Sequence, residues 1–407
     1  MKALHKFLTK NIEPHFSEGG KLNKIWPVYD GLATFLFVPG HATHKGAHVR
    51  DAIDLKRTMI MVVFAMIPAL LFGMFNVGHQ HYLATGETVE FMDKFLYGAL
   101  KVLPIVVVSY ATGLGVEFLF CIIKKHSIHE GFLVSGMLIP LTVPADIPLW
   151  MVAVATIFAV VIGKEVFGGT GMNILNVALV ARAFLFFAYP TYMSGDMWVA
   201  MDNRNGSEIV KEGLVDGYTG ATNLAQAADP AFTGTFKNVA GVPYNDSFID
   251  SFIGLIPGSI GETSTLAILL GGLFLIITGI GSWRIMLSIF AGAFAMGTVF
   301  NLVGGDNPFM NMPAHYHLVI GGLAFGAVFM ATDPVTAAQT NLGKIIYGLG
   351  IGIFCVLIRV VNPAYPEGMM LAILFFNVMA PLIDYYVVQG NIKSRVKRLK
   401  LASNGTK

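Results

Sequence analysis

The sequence predicts an all-α polytopic membrane protein of about ten transmembrane helices, in two inverted five-helix repeats with broken third and eighth spans. The first observation is compositional: 55% of the 407 residues are hydrophobic and 13% are charged, whereas soluble domains carry about 25% charged residues. The second is the recurrence of apolar runs of about 18 or more residues along the chain. The third is the presence of 45 glycines, because membrane helices approach one another over small residues.

Residues 1–57 are predicted to form a cytoplasmic segment at the membrane surface. They hold nine Lys and Arg against five Asp and Glu. Ala3, Leu4, Phe7 and Leu8 fall on one helical face between lysines, as in a helix lying in the membrane interface. No short apolar core with a cleavage site precedes this face, so a signal peptide is not expected.

Ten apolar segments follow the N-terminal segment. Their bounds are 58–78, 97–123, 130–143, 149–163, 172–190, 264–281, 285–302, 317–332, 344–361 and 369–388. They define a first repeat at 58–190 and a second at 264–388, separated by the polar loop 191–263 and followed by a basic tail, 389–407. With five crossings on each side of the loop, the two repeats have opposite topology.

The positive-inside rule orients this arrangement in the membrane. If all ten segments cross, the basic links at Lys124-Lys125, Lys164, Arg284 and Lys344 fall on the same side as both termini. The loop 191–263 falls on the other side, with nine acids and three basic residues. Both termini are therefore predicted to be cytoplasmic and the loop periplasmic.

The third and eighth segments are the short ones. Segment 130–143 is followed by Pro144 and Pro148, and segment 317–332 ends at Asp333-Pro334. At about 1.5 Å per residue neither crosses a hydrocarbon core of about 30 Å. Matching interrupted segments indicate a binding site near the membrane midplane of inverted-repeat transporters. Two poorly hydrophobic helices would explain the shortness equally well.

Three carboxylates lie within or at the ends of apolar segments, where charge is costly and usually functional. Glu117, Asp333 and Asp384 are all expected near the cytoplasmic face, where hard oxygen ligands suit a cation such as Na⁺. Each has a structural alternative. Glu117 would pair with a residue such as Arg182, Asp333 would cap a turn, and Asp384 would pair with an interfacial Lys or Arg.

The fifth segment carries Asn173 and Asn176, three residues apart and so expected on one helical face near its start. Amides there suit a polar heterocycle or an anion, although helix capping is the simpler role. Phe184 and Phe186 would line an aromatic wall further along, as ordinary core residues or as part of a quinone site.

Several classes of function lack their signatures in this sequence. Cys121 and Cys355 lie in separate apolar segments, and two thiolates do not hold an iron–sulfur cluster. His81 and His317 are placed in outer loops, so paired imidazoles for a haem are not expected. No nucleotide-binding glycine motif occurs, and nothing predicts nucleic-acid binding.

The polar loop contains the stretch Asp216-Gly217-Tyr218-Thr219-Gly220-Ala221-Thr222. Read from its residues alone, Thr222 would cap the short apolar run that follows. An external D-G-Y-T-G-A-T stretch between two five-segment halves resembles the B subunit of the Na⁺-translocating NADH:quinone reductases, and shares its S/T-G-A-T element with the D subunit of the Rnf complexes. Further similar stretches are HVRDAIDLKR, GKEVFGGTGMNILNVALVARAFLFFAYP, GSIGETSTLAILLGG, FMATDPV and RVVNPAYPEGMMLAILF.

The resemblance implies specific cofactors and partners. It implies covalent FMN, joined to Thr222 by a phosphoester bond that a separate flavin transferase makes, with Asp216, Gly217, Thr219, Gly220 and Ala221 as the recognition element. It also implies a non-covalent riboflavin near Asn173 and Asn176.

By the same resemblance, Gly113, Phe184 and Phe186 match quinone positions, and Glu117, Asp333 and Asp384 match acids of a sodium uptake path. Gly113 is followed by Leu114 rather than by the second glycine of the family.

The function expected from the resemblance is that of a membrane subunit, inactive alone, in a six-subunit redox-driven sodium pump that passes electrons from NADH to ubiquinone. The D subunit of an Rnf-type electron-transport complex, or a urea-channel-like facilitator without redox chemistry, is the alternative.

Overall fold

A computed structural model gives the fold of most of the chain. It describes residues 2–17, 19–37, 43, 45–49, 53–124, 131–202, 204–205, 208–209, 214, 219–229, 236, 248–305, 307–362, 365 and 367–405. These residues are helical apart from connecting segments and one two-stranded antiparallel ribbon, β1 (Arg204–Asn205) paired with β2 (Glu208–Ile209). The all-helical class predicted from composition is therefore confirmed.

The N-terminal segment is a chain of short helices. They are α1 (Lys2–Phe7), a π-helical turn (Leu8–Ile12), α2 (Glu13–Phe16), a 3₁₀ turn (Asn23–Ile25) and α3 (Trp26–Leu36). The Tyr29 hydroxyl donates to the Leu8 carbonyl at 3.3 Å, and its ring stacks on Phe16. The helical character expected for the first residues is thus present, and α3 folds back onto them.

The first half of the membrane region contains five apolar helices. They are α4 (Leu55–Thr85), α5 (Phe91–Lys124), α6 (Phe132–Leu141), α7 (Leu149–Gly163), which continues into a 3₁₀ turn (Glu165–Phe167), and α8 (Val177–Ala188). The loop after α8 holds 3₁₀ turns at Pro190–Tyr192 and Gly195–Trp198, the β ribbon, α9 (Asn223–Ala227) and α10 (Phe248–Ile253).

The second half has the same number of apolar segments. They are α11 (Thr265–Ile277), α12 (Trp283–Val303), a broken segment, α16 (Asn341–Val361) and α17 (Met369–Gly405). The short helix α13 (Pro308–Asn311) precedes the broken segment, which consists of α14 (Tyr316–Val319), α15 (Leu323–Phe325) and a π-helical turn (Gly326–Met330).

Six helices in the described part of the chain are long and apolar enough to cross a membrane: α4, α5, α7 with its 3₁₀ extension, α12, α16 and α17. Helices α6, α8 and α11 are apolar but shorter. The chain is therefore a polytopic membrane protein, whose described part combines six long apolar helices with three shorter ones.

The break in the eighth segment is stabilised by one arginine. After α14 the backbone turns at Gly321, whose φ of +68° is in the left-handed region that favours glycine. Arg359, fully buried on α16, donates from Nη1 to the His317 carbonyl at 2.7 Å and from Nη2 to the Ile320 carbonyl at 3.0 Å. The last carbonyls of a helix lack partners within it, and the guanidinium supplies them here.

Several helix contacts occur at matching positions of the two halves. In the first half α5 packs against α6 and α7, and α7 packs against α8. In the second half α12 packs against the broken segment and α16, and α16 packs against α17. The halves meet where α4 contacts α11 and where α8 contacts α17. The helices approach closely over glycine, since a Cβ on Gly352 would lie 2.2 Å from the Ile289 carbonyl oxygen.

The structure corrects several sequence-based boundaries. The fifth apolar helix begins at Val177 rather than at residue 172, and the basic tail continues α17 as helix through Gly405. His81 and His317, expected in outer loops, are instead buried within α4 and α14. Each lies near an end of an apolar segment, where hydropathy alone does not separate helix from loop.

Candidate functional site

The threonine motif is described only in its second part. Asp216 and Gly217 lie outside the described residues. Thr219 is half-buried and its hydroxyl accepts from the Ala221 amide at 3.3 Å, while Gly220 is buried. This compact turn leads directly into α9.

Thr222 is the N-cap of α9. Its backbone is extended, with φ −64° and ψ 158°, and its Oγ1 accepts from the Ala225 amide at 3.1 Å. The capping role suggested by the sequence is therefore present in the structure. The side chain is half-buried and also lines a cavity, so Thr222 both caps α9 and faces a space that a ligand can occupy.

We call this cavity the Thr222 pocket. Its empty volume is about 370 Å³, which includes open solvent at its mouth. It is lined by Thr222, Asn223, Leu224, Ile256, Pro257, Gly258, Ser259, Glu262, Thr263, Gly321 and Glu367. Its walls thus come from the start of α9, from the loop before α11, from the break in the eighth segment, and from Glu367 in the connection that leads into α17.

Contacts between the two halves fix the position of these walls. The Gly261 amide donates to the Leu141 carbonyl at 2.8 Å, at the end of α6. Leu224 of α9 lies against the break, where a Cβ on Gly321 would be only 2.3 Å from Leu224 Cδ1. The pocket therefore depends on both short segments that the sequence singled out.

The Thr222 pocket contains polar atoms without protein partners. Both amide atoms of Asn223 and the hydroxyl of Thr263 are buried and make no hydrogen bond to any residue that the structure describes. Buried polar groups are nearly always paired, and an unpaired one costs free energy. The pocket can therefore hydrogen-bond a polar ligand from donors and acceptors that nothing else in the described structure uses.

Behind this pocket lies a buried charge cluster. Arg182 of α8 donates from Nη1 to Glu262 and from Nη2 to Glu367, joining residues 80 and 185 positions away in the chain. The Ser259 hydroxyl donates to the other oxygen of Glu262 at 2.5 Å. The sequence suggests Glu117 as a partner for Arg182; the structure assigns Arg182 to two other glutamates.

A second, larger cavity, which we call the Asn pocket, lies at the other end of the broken segment. It has an empty volume of about 810 Å³, which includes open solvent at its mouth. Its polar lining is Thr58, Ser135, Lys164, Thr170, Asn173, Asn176, Thr332 and Asp333. Both halves contribute to the cavity. Thr332 and Asp333 come from the end of the eighth segment, in the second half, and the other polar residues come from the first half.

The two asparagines of this pocket have different roles. Asn176 is the N-cap of α8: its Oδ1 accepts from the Ala178 amide at 3.0 Å and the Leu179 amide at 3.3 Å. Its Nδ2 donates to the Met330 carbonyl at 3.3 Å. Asn173 precedes the helix, so the two do not share a helical face as predicted, although they line the same cavity. The mismatch arises because the glycine-rich turn before α8 extends further than the apolar pattern indicates.

Glu117 is paired with Lys164, not with Arg182. Both side chains are buried, and no described residue hydrogen-bonds Glu117 Oε2. Lys164 also lines the Asn pocket. A neighbouring pair, Lys124 and Glu165 at 3.1 Å, lies beside it. Glu117 therefore does not line the Asn pocket itself but is paired with Lys164, which does. Its Oε2 has no hydrogen-bond partner among the described residues.

Asp333 caps a turn, whereas Asp384 binds backbone and hydroxyl groups just before α16. Asp333 accepts from the Val335 amide and from the Thr336 hydroxyl, both at 3.1 Å. Asp384 accepts from the Gln339 amide at 2.6 Å and from the Thr340 amide at 3.0 Å. In the described part of the chain no three His, Cys, Asp or Glu side chains converge on a position that could hold a metal ion. Glu117, Asp333 and Asp384 therefore do not form one cluster.

The three residues matched to quinone positions contact different rings. A Cβ on Gly113 would meet Phe132 at 1.8 Å, so α5 and α6 pack closely there. Phe184 stacks on Phe158 with ring centroids 4.7 Å apart. Phe186 contacts the Tyr365 ring edge to face at 4.5 Å.

Sequence reasoning missed Asn223, Thr263, Glu262 and Glu367 as pocket residues. Glu262 offered one signal, since a carboxylate directly before an apolar segment is costly unless paired. The unpaired amide of Asn223 offered none, because its lack of a partner depends on the tertiary arrangement.

Comparison with known proteins agrees over nearly the full length. The profile of the NQR2, RnfD, RnfE family matches residues 42–393. The B subunit of the Na(+)-translocating NADH-quinone reductase of Klebsiella pneumoniae (strain 342) is 47% identical, covering 97% of this chain and 99% of the relative. Proteins of the same name from Neisseria meningitidis serogroup B (48% identical, covering 99% of this chain and 100% of the relative) and Azotobacter vinelandii (49%, covering 97% and 99%) are similarly close. The chain therefore belongs to the NQR2, RnfD, RnfE family.

Proposed function

We propose that this chain is the B subunit of a sodium-translocating NADH:quinone reductase, a membrane subunit that carries electrons toward ubiquinone while Na⁺ is exported. The names of relatives that are 47–49% identical over nearly the whole chain support this proposal. The chain acts with the other subunits of a six-subunit complex and is not active alone.

Within this function, Thr222 carries FMN through a phosphoester bond. The observation that carries the assignment is the position of Thr222 on the wall of a pocket that holds the unpaired atoms of Asn223 and Thr263. Those atoms are suited to hydrogen-bond the polar parts of a flavin. The covalent flavin at Thr222 and riboflavin in the Asn pocket supply the electron-carrying chemistry when bound.

A separate flavin transferase forms the bond at Thr222. A threonine hydroxyl needs activation to act as a nucleophile, and the hydrogen bond that Thr222 Oγ1 makes is to a backbone amide, which donates and does not remove a proton. The residues Asp216, Gly217, Thr219, Gly220 and Ala221 serve as the recognition element.

The Asn pocket receives riboflavin. Asn173 lies outside the helix, and its Nδ2 makes one bond, to the Leu175 carbonyl at 3.0 Å. A side-chain amide has two N–H donors, so Asn173 and Asn176 each keep capacity for a ligand. Lys164 and Asp333 place one charge of each sign on the pocket wall.

Quinone and sodium are the substrates at the cytoplasmic side. We propose that ubiquinone binds near Gly113, Phe184 and Phe186, and that Na⁺ enters past Glu117, Asp333 and Asp384. Because the three acids lie apart, they support an uptake path with successive ion-binding positions rather than one shared ion site. Glu117 supplies the oxygen with the fewest competing partners.

The topology that serves this function is an inverted repeat in the bacterial inner membrane. Both termini lie in the cytoplasm and the loop 191–263 in the periplasm, with the surface helices of the N-terminal segment resting on lipid. The duplicated packing of α5 with α7 and of α12 with α16 supports the repeat. This orientation places Thr222 and the Asn pocket toward opposite membrane faces.

In-gel fluorescence tests the assignment of Thr222. The chain is co-expressed with its transferase, denatured, separated and viewed under ultraviolet light. Wild type should fluoresce, Thr222→Ala should be dark, and Thr222→Ser, which keeps a hydroxyl, should recover fluorescence. An equally bright Thr222→Ala band would place the flavin elsewhere, and a dark wild type would favour a facilitator without redox chemistry.

A further inference from the structure

The Arg182 cluster is a group of buried charges beside the Thr222 pocket, to which the proposed function assigns no task. Its carboxylates, Glu262 and Glu367, both line that pocket, while Arg182 holds them from behind. Arg182 and Glu262 are buried, and the side chain of Glu367 is 21% exposed. The charges therefore act on the pocket from a protein interior rather than through bulk water.

The cluster is electrically balanced only when a second arginine is included. Arg359 donates from Nε to the Glu367 carbonyl at 3.1 Å, and its other nitrogens hold the carbonyls of the helix break. Two guanidinium groups thus stand against two carboxylates. The buried hydroxyl of Tyr365 makes no hydrogen bond to any described residue, and it is an uncharged group near Glu367. Removing any one charged side chain leaves one uncompensated charge next to the pocket.

The cluster also lies between the two cavities. Arg182 is six residues beyond the helix cap Asn176, which lines the Asn pocket. At about 1.5 Å per residue, α8 carries the chain roughly 9 Å from the wall of one pocket to the charges behind the other. An electron that moves between redox groups in the two pockets passes through the field of this guanidinium.

We propose that Arg182, Glu262 and Glu367 form an electrostatic positioning cluster that sets the reduction potential of the flavin attached to Thr222. The proposal rests on the proposed function, in which Thr222 carries that flavin. One electron enters the flavin from its donor, which is oxidised by one electron, and no bond forms or breaks. Because the added charge is negative, Glu262 and Glu367 oppose it and Arg182 favours it. Charge interactions of this kind are strong where water is excluded.

Redox titration of the intact six-subunit complex, followed by the absorbance of the covalent flavin, tests the proposal. Glu262→Gln keeps one oxygen to accept from Arg182, and its amide N–H can donate to the Ser259 hydroxyl, but the negative charge is removed. It should increase the equilibrium constant for one-electron reduction at least about tenfold, which is a shift of about +59 mV. Arg182→Gln should shift the potential in the opposite direction. Glu165→Gln is the matched control, because Glu165 is an equally buried carboxylate paired with Lys124 away from this pocket, and it should leave the potential in place.

In-gel fluorescence of each variant separates the possible failures. Fluorescent Glu262→Gln complex with an unshifted potential would overturn this proposal and leave the proposed function standing. A shift of the same sign in Glu262→Gln and Arg182→Gln would also overturn it, since a purely structural change has no reason to follow charge. A wild-type chain without flavin on Thr222 would remove the proposed function and this proposal together. If Arg182→Gln does not assemble, Glu262→Gln alone decides.

Discussion

The Thr222 pocket and the Asn pocket lie at opposite ends of the broken eighth segment, and they are built differently. The Thr222 pocket is reached at Gly321, where the break begins, and its charged side chains are held by Arg182. The Asn pocket is reached at Thr332, where the segment ends, and its wall includes Lys164 and Asp333. The first pocket therefore has fixed charge and unpaired amide atoms, whereas the second has a buried ion pair, Lys164 with Glu117, at its edge.

The same contrast appears at the ends of the two fourth segments. Lys164 follows α7 and neutralises a carboxylate, Glu117. Arg359, at the matching position near the end of α16, instead donates to three backbone carbonyls. A lysine is a point charge and an arginine is a fork of donors, so the halves use equivalent positions for different tasks. Within the proposed repeat, matching positions therefore need not carry the same chemistry.

The largest expected effect that distinguishes the two pockets is the loss of non-covalent flavin when Asn173 is substituted. Asn173→Ala removes an amide from the Asn pocket without touching the cap of α8, and should lower retention of the non-covalent flavin by about tenfold, or ~1.4 kcal/mol. Asn176→Ser, which keeps a capping oxygen, should weaken retention in the same direction. Flavin released by acid from purified complex is measured by chromatography.

In both asparagine variants the covalent flavin should stay on Thr222, seen as unchanged in-gel fluorescence. Parallel loss of both flavins would contradict the independence of the two pockets. Full retention of the non-covalent flavin in both variants would remove Asn173 and Asn176 from its site.

A smaller effect is expected at Glu117. Glu117→Gln removes a buried carboxylate whose Oε2 has no partner, and carboxylate oxygens are preferred ligands of hard cations. The Na⁺ concentration for half-maximal quinone reduction should rise several-fold, within about tenfold, or ~1.4 kcal/mol. Glu165→Gln is the control, because Glu165 belongs to the neighbouring pair that does not line the Asn pocket. An unchanged sodium dependence in Glu117→Gln would exclude Glu117 from the uptake path.

The remaining prediction concerns the folding stability of the break itself rather than the binding of flavin or sodium. Gly321→Ala combines left-handed backbone with a Cβ 2.3 Å from Leu224 Cδ1, and should lower stability by about 1–3 kcal/mol. Gly279→Ala is matched in backbone, with φ +73°, but has open space around it. Thermal unfolding in detergent should therefore show the larger loss for Gly321→Ala. Equal losses would mean that the contact with α9 adds nothing to the backbone strain.

The sequence predicts what depends on local pattern. Apolar length located the six long apolar helices and the shorter apolar helices α6, α8 and α11, and the short run after Thr222 predicted its capping role. The start of α8 was misplaced by five residues because apolar content does not reveal a glycine-rich non-helical turn. The partners of Arg182 were missed because Glu262 and Glu367 lie 80 and 185 positions away, and no local periodicity encodes such a contact. Residues that cap helices were thus predictable, and residues that join the halves were not.

The placement of the covalent flavin is tested most directly by peptide mass spectrometry of the chain co-expressed with its transferase. The peptide containing Thr222 should carry the mass of FMN less one water, and fragmentation should place that mass on Thr222. Flavin mass on Thr219 or on another peptide, or a fully unmodified Thr222 peptide from active complex, would contradict the assignment.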